Sequence, residues 1–152
     1  MACELVQREF TRKDGTQVLV GCRQLAASKA LDLHVELVGK AGRAIFPFIE
    51  NTFGFNDILV LMSCGGKDND IGELVRRVVC MATIEGNDIK PATFDIRMDG
   101  DLMLIHKIFG LVLEANFLDF FKEGLAINEQ RRLEAEEASK LAQQKNSSPE
   151  TN

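Results

Sequence analysis

Apolar and polar residues alternate from Glu4 to Phe10 and again from Gln17 to Arg23, where Val18 and Val20 share one face and Leu19 takes the other. That period of two is the mark of half-buried strands. Between them Arg12-Lys13-Asp14-Gly15 contains Asp-Gly, a pair that readily supplies a residue at positive φ, so the two segments predict a hairpin. Phe94, Ile96 and Met98 alternate with Asp95, Arg97 and Asp99 and predict a third strand near 93–98. Three strands with one apolar face need a helical layer to cover them.

From Asp101 to Glu114 the period changes to that of a helix. Leu102, Ile105, Phe109 and Val112 recur at helical spacing, flanked by Leu104, Ile108, Leu111 and Ala115. So wide an apolar arc asks for neighbours on most sides and predicts the central helix, roughly 21 Å long at 1.5 Å per residue. Asn116, with Asp119 three positions on, predicts the cap of a separate short helix carrying Phe117, Phe120 and Phe121, and Gly124 predicts its stop. Ser28 to Gly39 reads as a helix with Leu31, Val35 and Val38 in line and Leu33 and Leu37 beside them, and Ile71 to Thr83 reads as another. The run DILVLMS, Asp57 to Ser63, fits a helix or a buried strand equally. Before it, Phe46, Phe48, Phe53 and Phe55 gather around Pro47 and Gly54, and Pro47 limits the segment to a short helix or turn. These phenylalanines read as core; a partly exposed apolar patch, which marks a partner site, is the alternative. Glu85-Gly86-Asn87-Asp88 turns the chain toward 93–98, with Pro91 blocking a helix.

The predicted fold is therefore α+β, mostly α: a small antiparallel sheet, made of the N-terminal hairpin plus the strand near 93–98, packed on a helical core. Residues 1–124 form one globular helical domain in this reading. Residues 125–152 form a charged flexible tail, helical or disordered, in which NEQRRLEAEEASKLAQQK offers only Leu133, Leu141 and some alanines for burial and NSSPETN favours disorder.

The 152 residues suit a single core. A net charge of −5 and a pI near 5.1 lack the basic stripe of a nucleic-acid binder, so no nucleic-acid partner is expected. No apolar run reaches the roughly 18 residues that span a membrane, and MACELVQREF has no apolar h-region, which together predict a cytoplasmic protein without a membrane partner. Cys3, Cys22, Cys64 and Cys80 form no CxxC pair, and Cys22 and Cys80 lie in apolar patterns that predict buried, reduced thiols. Ten Phe beside no Trp and no Tyr has no physical account.

Three chemical motifs fail on inspection. Gly65-Gly66-Lys67 matches part of a phosphate loop, but Leu61 stands where the first glycine belongs and Asp68 where Ser or Thr holds magnesium. Asp68, Asp70 and Gly72 match part of a calcium loop, but the glycine comes one place early and Val79 replaces the bidentate Glu. His34 and His106 form no spaced ligand pair, and His106, beside Lys107, reads as an exposed or rim residue. No catalytic, metal or cofactor-binding residue emerges, and the expected role is non-enzymatic.

With no chemistry in the motifs, the order of elements carries the remaining information. The segment FDIRMDGDLMLIHKIFGLVLEANFLDFF resembles the tail assembly chaperones of long-tailed bacteriophages, in which a short strand passes into an apolar helix ending near an LEANFxxFF-like sequence. The residues that carry the resemblance are Phe94, Asp95, Ile96, Gly100, Leu104, Phe109, Leu113, Glu114, Asn116, Phe117, Phe120 and Phe121. The close match covers about 30 residues and the order of elements most of the chain. The resemblance implies a small protein of the host cell cytoplasm that binds the helical tape measure protein, keeps it soluble, recruits tail tube protein and is absent from the mature virion. Self-association is compatible with that role. It also implies that a longer product can arise by ribosomal slippage, since Gln144-Lys145-Asn146 can be encoded as xxA AAA AAC. The residues expected to touch the client are Phe46, Phe48, Phe53, Phe55, Leu133 and Leu141. A structural component retained in the particle and a non-enzymatic adaptor domain with a small-molecule pocket are the alternatives.

Overall fold

A computed structural model describes residues 4–147, with side chains through Lys145. Cys3 and the final five residues, on which the reading of a disordered end falls, lie outside the described residues. The chain divides into two compact units, one ending at Leu118 and the other beginning at Asp119.

In the first unit β1 (Leu5–Thr11) and β2 (Gln17–Arg23) form the expected hairpin, paired antiparallel from Leu5 opposite Arg23 to Thr11 opposite Gln17. Gly15 takes a φ of +88° in its turn, a conformation that costs glycine little. Helices α1 (Ala27–Ala41), α2 (Phe46–Ile49), α3 (Phe55–Ser63) and α4 (Ile71–Val79) follow, with a 3-10 turn, Gly42–Ile45, between the first two. Pro47 sits in the first turn of α2, where its missing N–H costs nothing. Asp70 caps α4 by accepting a hydrogen bond from the Glu73 N–H at 2.8 Å. DILVLMS thus belongs to a helix, which settles its ambiguity.

The rest of the sheet lies elsewhere than the alternation predicts. Strands β3 (Thr83–Ile84) and β4 (Asn87–Asp88) complete a four-stranded sheet in the order β1-β2-β3-β4. Their turn residues Glu85 and Gly86 both have positive φ, 50° and 80°, as a two-residue hairpin turn requires. Residues 93–98 are no strand: a 3-10 turn, Pro91–Thr93, leads into helix α5 (Phe94–Met98). Phe94 and Met98 are four apart and both buried, while Ile96 between them is 81% exposed. An alternating five-residue segment satisfies one helical turn as well as a strand, and here the i, i+4 pair faces the core.

Helix α6 (Leu102–Ser147) is a single helix of 46 residues. Its first part is central, as expected: Leu104, Ile108, Phe109, Leu111, Val112 and Leu113 are all buried. The predicted break at Asn116 and stop at Gly124 do not occur. The Asn116 side chain donates to the Val112 carbonyl at 2.9 Å and accepts from the Leu25 N–H at 2.8 Å, so it bonds backward and sideways and leaves no oxygen to cap a new helix. Gly124 is tolerated within α6 at a cost of about 1 kcal/mol. In the second unit α6 continues with Leu125, Ile127, Leu133 and Leu141 exposed.

The hairpin is fastened to α6 by polar ties. Arg8 makes a two-pronged hydrogen bond to Glu114, at 2.6 and 3.1 Å, which raises the basicity of the guanidinium. Asp101, buried at the start of α6, accepts from the Lys13 N–H at 2.8 Å and from the Leu104 N–H at 3.1 Å. It caps the helix and anchors the hairpin turn with one carboxyl group. Cys22 is buried in the sheet, and burial pushes its thiol up to about 11. Cys80 and Cys64 are half-buried free thiols.

Candidate docking surface

Helix α3 leaves much of its apolar surface uncovered. In FNDILVLMS only Ile58 and Leu61 are buried, at the one-turn spacing of a single inward line. Phe55 is 65% exposed, Leu59 50% and Val60 54%, and Met62 also faces solvent. Phe55, Leu59 and Met62 fall at i, i+4 and i+7, one stripe along the outer face. Its only polar residues are Asn56, Asp57 and Ser63, and Asp57 is occupied at the helix start, where its carboxyl accepts the Gly54 N–H at 2.7 Å. An exposed apolar face of this kind makes α3 a candidate for contact with another molecule.

Grooves adjoin both ends of that stripe. At the Phe55 end a groove of ≈ 360 Å³ is walled by Phe10, Phe53, Phe55, Ile58 and Met103, with Arg8 and Lys107 beside them. At the Met62 end a larger groove, ≈ 470 Å³, is lined by Met62, Val75, Phe94, Met98, Leu102 and Ile105 with Arg76, Asp95 and His106. Methionines appear in both, and their unbranched, polarisable side chains adapt to differing partners. His106 is 8% exposed, which corrects its reading as a rim residue. Its Nδ1 lies 2.8 Å from the Leu102 carbonyl and its Nε2 has no partner among the described residues.

The phenylalanines expected to meet a client divide between core and surface. Phe48 is fully buried, stacked on Phe53 with centroids 4.6 Å apart and edge-on to Phe109 at 5.3 Å. Phe46 is half-buried. Phe53 is half-buried and Phe55 exposed, and these two share the smaller groove. Phe53 reaches its place because α6 carries glycine there: a Cβ on Gly110 would lie 3.0 Å from the Phe53 ring. Leu133 and Leu141 are exposed in the second unit. Residue-type reasoning missed Leu59, Val60, Met62, Leu102 and Met103. The signal was present in DILVLMS, which read as a helix has no polar face.

Among the described residues no group of three or more His, Cys, Asp or Glu side chains is arranged to hold a metal ion, and no helix is long and apolar enough to cross a membrane. What the surface offers is apolar area, two adaptable grooves and a few charges, the elements of helix-in-groove recognition.

A family model described as phage tail assembly chaperone protein, TAC, matches residues 19–128. The chain belongs to that family. No curated protein and no solved structure matches it. The matched stretch runs from β2 into α6 and contains all of α3 and nearly every residue of both grooves. A tail assembly chaperone interacts with phage tail proteins, and the uncovered face of α3 is a candidate surface for such a contact, as is the exposed stripe of Leu31, Val35 and Val38 on α1. The LEANF residues act as ties within the first unit: Glu114 holds Arg8, Asn116 holds the Leu25 N–H, and Phe117 lies 5.8 Å from the His34 ring.

Proposed function

We propose that this tail assembly chaperone binds the tape measure protein, keeps its apolar helical segments from aggregating and brings tail tube protein to it, without bond-making chemistry. The observation that carries the reading is the apolar outer face of α3 with a groove at each end, in a chain of the chaperone family. A long helical client exposes apolar stripes before its tail tube covers them, and an apolar stripe of one-turn spacing is complementary to such a helix. Phe53 and Phe55 in the smaller groove and Leu133 and Leu141 on the second unit are further contacts in this proposal. The protein acts in the host cytoplasm and leaves before the particle matures, so mass spectrometry of purified virions finds none of it. A longer, frameshifted product requires the slippery codons over Gln144, Lys145 and Asn146; an AAG codon at Lys145 removes that part of the proposal.

The test is co-expression with the tape measure protein. The full chain keeps the client in the soluble fraction and co-purifies with it, a Leu59→Asp variant of unchanged thermal stability loses about tenfold or more in affinity, and truncation after Gly124 weakens binding. Client solubility that is the same with and without the chain contradicts the proposal.

A further inference from the structure

The smaller groove has a charge of one sign. Its polar lining includes Arg8 and Lys107 and no acidic residue, on a chain whose net charge is −5. Arg8 is already neutralised by its two-pronged bond to Glu114. Lys107 is half-buried and has no ion pair or hydrogen bond among the described residues. Its aliphatic stem lies in the same groove as Phe53, Phe55 and Met103, and its ammonium meets no carboxylate there. Elsewhere in the first unit Arg77 pairs with Glu36 at 2.6 Å, whereas Lys107 has no such acid among the described residues.

We infer that this groove receives an amphipathic helix of another protein in which an apolar anchor is flanked, one turn away, by a carboxylate, and that Lys107 is the residue that selects for it. The inference rests on the client-binding reading and names the chemistry of the segment bound. The anchor fills the groove between Phe10, Phe53 and Met103, and the carboxylate meets the ammonium in a site the anchor has dried, where a charge-assisted hydrogen bond is strong. Lys107 thereby sets the register of the client helix, because an anchor without the acid, or with a base in its place, leaves the ammonium desolvated and unpaired. The larger groove differs in carrying both Arg76 and Asp95 and imposes no such preference.

The test uses the full chain, isotope-labelled, and two synthetic helical peptides with the same leucine anchors, one with Glu and one with Lys a turn from the anchor. The Glu peptide binds about tenfold tighter than the Lys peptide at low salt, moves the amide signals of Phe53, Phe55 and Met103 and the Lys107 ammonium, and loses most of that advantage at high salt. Lys107→Met, which keeps the aliphatic stem, abolishes the preference, and Lys107→Glu reverses it. Equal affinities, binding of neither peptide, or signals that move elsewhere overturn the inference. Signals that move at these residues with protein concentration alone place a second copy in the groove and also overturn it. Failure of the client-binding reading registers separately, as a tape measure protein that does not co-purify with the wild-type chain.

Discussion

At Asp101 a single carboxyl group serves two elements, and the position shows how much one residue can decide. Both of its oxygens are engaged by backbone N–H groups, of Lys13 in the hairpin turn and Leu104 in the first turn of α6. Asp101→Ala strips the cap and leaves two N–H groups unsatisfied near the core, so chemical denaturation of that variant shows a loss of about 1–3 kcal/mol. Glu36 works differently, at the surface between α1 and α4. Arg77, and then Lys40, hold its carboxyl down at about 2. Because the folded value lies below the unfolded one, near 4.3, the stabilisation is complete above the unfolded value and is lost as pH falls toward about 2. Melting temperatures of the wild type therefore fall more steeply across that window than those of Glu36→Gln, and the two curves converge at its acid end. Neither role was legible in the sequence, since each depends on residues brought together from distant segments. His106 was misjudged for the same reason: the polar neighbour Lys107 suggested a rim, yet the residue is 8% exposed, in a groove whose other lining residues come partly from α3, α4 and α5.

Elements were legible where the pattern ran long and ambiguous where it was short. The hairpin, α1, α4 and the first half of α6 follow from periodicity over seven residues or more. Residues 93–98 did not, because an alternating segment of that length also places Phe94 and Met98 one helical turn apart. Asn116 and Gly124 carried stop signals that α6 overrides, the first because its side chain is committed to Val112 and Leu25. Two glycines of α6 make the cost of that long helix measurable. Nothing lies within 4 Å of a Cβ placed on Gly124, so Gly124→Ala gains about 0.5–1 kcal/mol in thermal or chemical denaturation. Gly110→Ala carries the same intrinsic gain but presses on the Phe53 ring at 3.0 Å. It falls short of the Gly124 variant in stability and shifts the Phe53 ring signals, since the stack on Phe48 has to open.

At the scale of the whole molecule, the fold class was readable, and of the candidate docking surface the sequence showed only a part. Four phenylalanines drew attention as the largest apolar side chains, but size does not say which face is covered, and Phe48 went to the core while Phe55 stayed outside. The informative feature was a helix with too few polar residues to face water, which becomes visible only once DILVLMS is known to be helical. Family membership then bears on that face, because a tail assembly chaperone interacts with phage tail proteins. Hydrogen exchange on the full chain, alone and in complex with the tape measure protein, tests this most directly. The account predicts that exchange slows in the complex across Phe55 to Ser63 and at Phe53 and Met103, with little change along the outer face of the hairpin. Protection confined to other elements, with α3 exchanging as in the free chain, contradicts it.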